Sequence, residues 1–409
     1  MRVAGVIVEY NPFHNGHLYH LQETRKHTKP DVVIAVMSGN FLQRGEPALL
    51  SKWIRTRLAL QAGIDLVVEL PYAYATQKAE IFAWGAVSIL NALGVTHLCF
   101  GSEAGDIRPF HRTMDYLEKH QIVYRERLKE NLAKGVSYPK AASAAFQAIQ
   151  AEEGGLIDLS QPNNILGYHY VQSARELKSP MQVMTISRKK AGYHEPDIVD
   201  AHIASATAIR KALFERSESW ETLSRLVPSY TYEALRTAAE NDCLNSWESF
   251  FPFLKYRLTT DSLEDIKAIY EAEEGLEYRL KESLRSMNQF QDWMRQIKTK
   301  RYTWTRLQRL CTHILTHTSK VDMAYAARKE QPKALRLLGM NEIGQAYLGQ
   351  LKKRLTLPVI SNINRTNARW IDLDIRAASC YNLVHGSDGI SEYHTRPIRY
   401  HAQNDGFLD

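Results

Sequence analysis

The sequence has few cysteines and no long apolar run. Its four cysteines, Cys99, Cys243, Cys311 and Cys380, lie far apart, without the paired spacing of a zinc site or the density of a disulfide scaffold. We therefore expect reduced, mostly buried thiols. No stretch approaches the roughly 20 apolar residues of a membrane span, and the apolar run Met1–Val8 is too short for a secretory signal. These absences predict a cytoplasmic protein.

The composition is that of an ordinary folded protein without internal repeats or low-complexity tracts. Of the 409 residues, 44% are hydrophobic and 24% are charged, which excludes a disordered or fibrous chain. The length exceeds that of one ordinary core and predicts two domains. The net charge of +7 permits an anionic partner but does not require one.

Short apolar runs alternate with helix-spaced segments over the first half of the chain. Five runs have the length and composition of buried strands: Arg2–Val8, Asp31–Met37, Asp65–Leu70, His97–Phe100 and Gln182–Ser187. This alternation predicts an α/β fold with a parallel five-stranded sheet and helices on both faces. All five strands would end at one edge, which is where such sheets bind ligands.

The pattern changes after about Trp220. Long, charged, helix-spaced segments follow, such as Asp261–Arg285 and Tyr302–Leu315. We therefore expect a boundary near residue 215, with an α/β domain over 1–215 and a mainly helical domain over 216–409. Leu357–Ser361 fits either an isolated strand or a buried turn.

The first strand leads into a turn and a helix that carry two histidines. Asn11-Pro12 forms the turn, and His14-Asn15-Gly16-His17 opens the helix. Two histidines three residues apart share a helix face, and both can donate an imidazole N–H to phosphate oxygens at a helix N-terminus. Gly16 lets a base or ribose approach the backbone. The alternatives are a pair of surface histidines and, with no third ligand in register, a weak metal site.

In this context the segment resembles the signature of the HIGH-type nucleotidyltransferase superfamily. His14 to His17 stand at the signature positions, with Asn15 in the variable second place. Ile203–Arg210 resembles the second motif of that fold, a Ser/Thr-rich helix start ending in Ile-Arg that grips ATP phosphates. A helix capped by Ser or Thr is the alternative interpretation of this second segment. The resemblance implies that 1–215 is a Rossmann-like nucleotidyltransferase domain.

Three further stretches narrow the resemblance. Glu9–His17, Met37–Pro47 and Phe100–Glu103 are similar to the tRNA(Met) cytidine acetate ligase family. The resemblance implies an ATP-dependent ligase that condenses acetate with ATP to acetyl-adenylate. It then implies transfer of the acetyl group to N4 of the wobble cytidine of elongator tRNA(Met), giving N4-acetylcytidine.

The resemblance also assigns roles to individual residues. His14 and His17 would be catalytic, acting on the phosphates. The implied ATP-binding residues are Ile7, Val8, Glu9, Tyr10, Asn11, Pro12, Phe13, His14, Asn15, Gly16, His17, Gly101, Asn163, Arg188, Ser205 and Thr207. Turn, strand-end or capping roles are the alternatives for the last five. The loop Gly39–Pro47 fits an acetate-holding or closing role as well as that of an ordinary polar loop. Mg²⁺ is expected because ATP travels with it, but no carboxylate cluster is evident for a dedicated protein metal site.

A basic segment in the second half contains no acidic residue. Its cations are Arg295, Lys298, Lys300, Arg301, Arg306 and Arg309, interleaved with Tyr302 and Trp304. Cations on phosphates and aromatic rings on unpaired bases hold single-stranded RNA, so with the resemblance this segment predicts the tRNA surface. A second basic group comprises Arg328, Lys329, Lys333, Arg336, Lys352, Lys353 and Arg354. Without the resemblance, a solvated helix face is the favoured interpretation of both groups.

Two other functions remain open from the residues alone. A small-molecule adenylyltransferase of the pantetheine-phosphate or nicotinate-nucleotide type would use the same site with a different acceptor. An RNA-binding protein with a vestigial nucleotide fold would bind RNA without releasing pyrophosphate. Neither the base for the cytidine amine nor the oligomeric state follows from the sequence.

Overall fold

The computed structural model describes residues 1–150, 154–188, 204–215, 218–273, 275–284, 287–385, 391–402, 404 and 406–408. The strands are β1 (Val3–Val8), β2 (Val32–Ser38), β3 (Leu66–Leu70), β4 (His97–Ser102), β5 (Gln182–Ser187), β6 (Leu335–Met340), β7 (Val359–Ile360), β8 (Ile398–His401) and β9 (Gly406–Leu408). The first nine helices are α1 (Asn15–Thr28), α2 (Lys52–Gln61), α3 (Tyr72–Ala75), α4 (Ala79–Ala92), α5 (Arg108–Lys119), α6 (Gln121–Ala133), α7 (Tyr138–Ile149), α8 (Pro162–Glu176) and α9 (Ala206–Glu215). The remaining helices are α10 (Trp220–Leu226), α11 (Ser229–Glu240), α12 (Trp247–Thr260), α13 (Leu263–Ala268), α14 (Leu276–Glu282), α15 (Phe290–Ile297), α16 (Trp304–Leu315), α17 (Lys320–Ala327), α18 (Glu342–Leu351), α19 (Asp372–Asn382) and α20 (Ser391–His394), with 3₁₀ turns at Ala368–Trp370 and Leu383–His385.

One sheet runs through the molecule. Its strand order within the described residues is β5-β4-β1-β2-β3-β6-β8-β9, with β7 beside β6. The five strands β1 to β5 are mutually parallel, as the alternating pattern predicts. The chain leaves β1 toward β2 and β3 and later returns to β4 and β5 on the other side of β1. The strand order therefore reverses between β1 and β4, which places a ligand crevice at their carboxyl ends.

The central strands are apolar on both faces because helices cover both sides of the sheet. All seven residues of β2 are buried. Val32, Ile34 and Val36 face the core shared with α4 and α8, whereas Val33 and Ala35 face the core shared with α1, α2 and α9. The two-residue period of the strand thus divides its side chains between two separate cores.

Most predicted elements of the first half are confirmed. The fifth strand has the predicted bounds, and Ser51 caps α2 by accepting the Ile54 N–H at 3.3 Å. Helices α5 and α6 follow each other directly and meet at His120.

The second half departs further from its prediction. Asp261–Arg285 contains two short helices rather than one long one, because Glu271 (φ 64°) and Gly275 (φ 80°) take left-handed backbone between them. The open alternative at Leu357–Ser361 is a strand, since Val359 and Ile360 pair with β6.

The helical half also returns to the sheet. Strand β6 pairs antiparallel with β3, so the sheet continues across the predicted boundary near residue 215, which stays a prediction. A buried charge cluster lies at this junction. Lys52 Nζ contacts carboxylates of Glu69 and Glu392 at 2.9 Å each, and Arg336 Nη1 donates to the Ser361 carbonyl at 2.6 Å. Elements from both halves therefore share one interior.

In the described part of the chain, none of the helices combines the length and the apolar composition that crossing a membrane would require.

Candidate active site

The turn between β1 and α1 is packed into the protein. Tyr10 and Phe13 are buried, with their rings 4.6 Å apart, and Tyr10 takes a left-handed φ of 52°. Asn11 Oδ1 accepts the Leu49 N–H at 2.6 Å, which ties the turn to the chain after β2. The predicted nucleotide segment from Ile7 to His17 therefore lies at the carboxyl edge of the central strand, in a shape fixed by its neighbours.

His14 and His17 cap α1 through each other. His14 Nδ1 accepts the Gly16 N–H at 3.0 Å, and His17 Nδ1 accepts the His14 N–H at 3.3 Å. Their ring centroids lie 3.8 Å apart. A neutral imidazole whose Nδ1 accepts a hydrogen bond carries its proton on Nε2. Both rings therefore present an Nε2–H donor, and the Gly16 N–H at the helix start is already donated to His14.

The site keeps these imidazoles neutral. Burial, followed by the charges of Arg188 and Arg210, lowers the pKa of His14 to about 3. Burial, followed by the nearness of His14, Arg188 and His20, lowers the pKa of His17 well below its usual value. The rings can therefore act at neutral pH as hydrogen-bond donors rather than as cations.

His20 extends the pair by one further turn of α1 and was not predicted. Burial, and then Arg188, lowers its pKa to about 4. Its Nε2 atom is buried and has no hydrogen-bond partner in the described part of the chain. A Cβ placed on Gly101 would lie 3.7 Å from the His20 ring and 3.5 Å from Arg188 Cγ. The spacing His14, His17, His20 on one helix was the signal that could have identified it.

The ends of β4 and β5 carry a polar cluster. Asn163 Nδ2 donates to Glu103 Oε1 at 2.6 Å, and Arg188 Nη1 donates to Asn163 Oδ1 at 3.3 Å. Glu103 also accepts the Asn164 N–H at 2.8 Å, which fixes the start of α8. The predicted residues Gly101, Asn163 and Arg188 therefore lie together. Glu103 was not predicted as a site residue, although its position directly after β4 could have indicated this role.

The start of α9 contacts the same turn. Ser205 Oγ accepts the Ala208 N–H at 3.0 Å, which is the capping role given as the alternative, and Thr207 is exposed. Arg210 donates to the Asn11 carbonyl at 2.8 Å and to Glu46 Oε2 at 3.0 Å. Arg210 thereby brings the second motif against the first. Ile203 lies outside the described residues.

Asn15 uses its side chain elsewhere. Its Nδ2 donates to the Arg225 carbonyl at 2.8 Å and so holds α10 against the start of α1.

Arg55 joins the ends of β1 and β2 and was missed. Its fully buried guanidinium donates to the carbonyls of Glu9 (2.7 Å), Ser38 (3.0 Å), Gly39 and Leu50 (3.0 Å). Apart from Leu50, these backbone acceptors are far from Arg55 in sequence, so no local pattern marks them. These hydrogen bonds hold the carboxyl ends of β1 and β2 in fixed positions beside the crevice.

The loop Gly39–Pro47 is built into the protein. Asn40 is buried and accepts the Lys52 N–H at 2.8 Å. The Gly45 carbonyl accepts Trp247 Nε1–H at 2.9 Å and the Thr312 hydroxyl at 2.8 Å. These anchors from α12 and α16 favour a fixed wall over a closing lid, and the acetate-holding role stays a prediction.

The predicted RNA segment is only partly available at the surface. Arg295 pairs with Asp292 and Arg306 with Glu273, whereas Arg309 is buried and pairs with Glu271 at 2.9 Å. Lys298, Lys300 and Arg301 lie in the segment between α15 and α16. The expectation that Tyr302 stacks on a base is wrong, because its ring is 6% exposed and packs in the core.

In the second basic group, Arg336 is 2% exposed and lies in β6. It therefore does not belong to a surface.

Comparisons with known proteins identify the family of this chain. The model of the HIGH Nucleotidyl Transferase family matches residues 1–394. Relatives named tRNA(Met) cytidine acetate ligase from Halalkalibacterium halodurans and Bacillus subtilis are 53% and 47% identical, over 98% and 100% of this chain and 97% and 100% of their own lengths. The crystal structure of apo Thermotoga maritima TmcAL has a TM-score of 0.90 at 34% identity and covers 98% of this chain and 100% of that one. A second structure of that protein, bound with alpha-thio ATP, has a TM-score of 0.87.

The fold and the paired histidines define a nucleotidyltransferase of the HIGH class. Identity over nearly the full length then places the chain, more narrowly, in the family of tRNA(Met) cytidine acetate ligases.

Proposed function

We propose that this chain is an ATP-dependent ligase that activates acetate as acetyl-adenylate. It then transfers the acetyl group to N4 of the wobble cytidine of elongator tRNA(Met). The observation that carries the ATP chemistry is the pair of neutral imidazoles whose Nδ1 atoms are occupied and whose Nε2–H groups remain as donors. The names of the relatives support acetate and tRNA(Met) as the substrates.

In the first half-reaction an acetate oxygen attacks the α-phosphorus in line with the departing pyrophosphate. His14 and His17 donate their Nε2–H groups to phosphate oxygens and stabilise the charge that grows there. Because both imidazoles are held neutral, they neither exchange a proton with the phosphate nor need to be protonated first. Their mutual capping fixes the rings before ATP arrives, which lowers the cost of ordering the site.

The nucleotide is held mainly on the β4–β5 side. Arg188 supplies positive charge, and Asn163 supplies a polar side chain. Gly101 has no side chain and so leaves room for the nucleotide at the end of β4. Ser205 and Thr207 at the start of α9 receive the β- and γ-phosphates. Among the described residues no group of three His, Cys, Asp or Glu side chains is placed to hold a metal ion. We propose that Mg²⁺ enters with ATP, as its counter-ion.

The segment 216–409 is the tRNA-binding part. Arg309 packs against Gly45. The loop Gly39–Pro47 therefore contacts α16 directly and lies near the basic segment that precedes α16. Lys298, Lys300 and Arg301 contact the phosphates, with smaller contributions from the paired Arg295 and Arg306. Both ATP and tRNA are intracellular solutes, which supports a cytoplasmic location.

Pyrophosphate release tests the proposal and separates it from the two alternatives. We expect release from ATP to depend on acetate, and acetylated tRNA to form only when tRNA(Met) is added. A small-molecule adenylyltransferase would instead require a phosphorylated small acceptor, and a vestigial fold would bind RNA without releasing pyrophosphate. Either of these results would replace the proposal.

The RNA surface has its own test. The double variant Lys298→Glu and Lys300→Glu should weaken tRNA binding and lower the slope of log affinity against log salt by about 2. The matched variant Lys352→Glu and Lys353→Glu reverses the same charge in the second basic group. Equal effects of the two variants, or no effect of the first, would remove this surface from the proposal.

A further inference from the structure

The two sides of the crevice have different contents. Nucleotide-binding candidates cluster on the β4–β5 side of the histidines, at Gly101, Asn163 and Arg188. The other side, above β1 and β2, is lined by Glu9, Ser38 and the Gly39–Pro47 loop. If the nucleotide lies on one side of His14 and His17, the β1–β2 side is left for acetate and the tRNA base.

Glu9 directly follows β1, and its side chain leans toward β2, away from the nucleotide cluster. Its Oε1 accepts the Gln43 N–H at 2.8 Å and lies 3.5 Å from the Ser38 hydroxyl. Its Oε2 accepts no hydrogen bond from any described residue, and the side chain is only half-buried. One oxygen is therefore held in place, while the other remains for a substrate proton.

The charged side chains near Glu9 form no ion pair with it in the described part of the chain. Among the described residues, three charged groups face it: Arg55 from α2, and Arg44 and Glu46 from the loop. The Arg55 guanidinium donates its hydrogen bonds to backbone carbonyls, and Glu46 forms an ion pair with Arg210 at 3.0 Å. Within the described part of the chain, no cation lies within ion-pair distance of Glu9.

We infer that Glu9 is the general base of the acetyl-transfer step, an inference that rests on the proposed function. The N4 nitrogen of cytidine attacks the acetyl carbonyl carbon of acetyl-adenylate and forms the C–N bond. The bond between that carbon and the AMP phosphate oxygen breaks, and AMP leaves with the electron pair. The proton lost from N4 passes to Glu9 Oε2, and water later removes it.

The surroundings suit this role. Burial raises the pKa of Glu9, and Glu46 adds to the rise, while the Gln43 N–H, Arg44 and Arg55 oppose it. A carboxylate with a raised pKa is a stronger base than an exposed one.

The variant Glu9→Gln separates a base from a structural group. A Gln side chain has the same shape, and its carbonyl oxygen can still accept the Gln43 N–H, but it cannot take a proton. Acetate-dependent exchange of pyrophosphate into ATP measures activation, and a single turnover of enzyme-bound acetyl-adenylate with tRNA(Met) measures transfer. We expect the loss in the transfer rate to exceed any loss in the exchange rate by about 10²-fold. The rise of the transfer rate with pH should also disappear.

The matched control is Glu46→Gln, which removes a carboxylate from the same loop. Any loss in this variant should fall on exchange and transfer alike, and its transfer rate should keep the pH dependence. Equal losses of both steps in Glu9→Gln, no loss, or an unchanged pH profile would each overturn the inference. If the unaltered protein shows no acetate-dependent exchange, the proposed function itself fails, and this result is distinct from the other three.

Discussion

Replacing Gly45 by Ala should disturb the site by pushing apart two elements that are distant in sequence. Gly45 has a left-handed φ of 75°, and a Cβ there would lie 2.5 Å from Arg309 Cα and closer still to the Arg309 amide nitrogen. Both obstacles are backbone of α16, so neither can rotate away. Relief requires the loop and α16 to separate by about 1 Å, since close-packed interiors keep such contacts beyond about 3.4 Å.

The expected cost is the sum of two effects. Left-handed backbone costs a residue with a Cβ about 1 kcal/mol, and overpacking against a fixed backbone costs a further 1–3 kcal/mol, roughly. We therefore expect Gly45→Ala to lower the free energy of unfolding by about 3 kcal/mol. Because the loop forms the wall of the β1–β2 side, acetate-dependent ATP–pyrophosphate exchange should also fall, by about 10²-fold for a 1 Å displacement.

Gly135→Ala is the matched control. Gly135 has a similar φ of 73°, but no atom of a described residue lies within 4 Å of a Cβ placed there. Its replacement should cost only the backbone strain, about 1 kcal/mol, and leave exchange unchanged. Urea unfolding and exchange rates measured on both variants decide the matter. If Gly45→Ala matches Gly135→Ala in stability and in exchange, the loop is not braced by α16.

Three further outcomes are expected. Because burial lowers the pKa of His14 and of His313 to about 3, the unfolded chain takes up protons first, and stability falls as pH drops below 6.5. Between pH 7.5 and 5.5 each histidine should cost about 1.4 kcal/mol in urea unfolding, and a flat profile would contradict the burial of these rings. Arg55→Lys keeps the charge but loses most of the carbonyl contacts, so the same unfolding measurement should show a loss of about 2 kcal/mol. Asn163→Ala should raise the KM for ATP about tenfold, which corresponds to about 1.4 kcal/mol of lost binding, with little change for acetate; an unchanged KM would remove Asn163 from the nucleotide site.

The sequence predicts those parts of the fold that depend on local patterns. The alternation of apolar runs located β1 to β5, and Gln182–Ser187 appears with the predicted bounds. Strand β6 was missed because Arg336 interrupts its apolar run and resembles a surface cation. Its guanidinium is accepted in the interior because carbonyls and the carboxylates of Glu69 and Glu392 surround it, and those partners are distant in sequence.

In the site, too, the residues in local motifs were predicted, whereas the contacts between distant residues were not. The motif identified His14 and His17, and their three-residue spacing does bring the two rings together. The spacing could not show that each Nδ1 is already occupied, which fixes the donor role of Nε2. Arg55 escaped notice because it contacts backbone carbonyls rather than side chains. Tyr302 was misjudged because an aromatic residue within a basic segment has the same composition whether it faces the core or the solvent.

A structure with bound nucleotide would show whether His14 and His17 bind the phosphates of ATP. In a crystal structure of this protein with a non-hydrolysable ATP analogue, we expect phosphate oxygens 2.7–3.1 Å from Nε2 of His14 or His17, roughly the length of an ordinary hydrogen bond. The base and ribose should lie toward Gly101 and Arg188. Phosphates bound elsewhere, or Nε2 atoms facing only protein, would contradict this expectation.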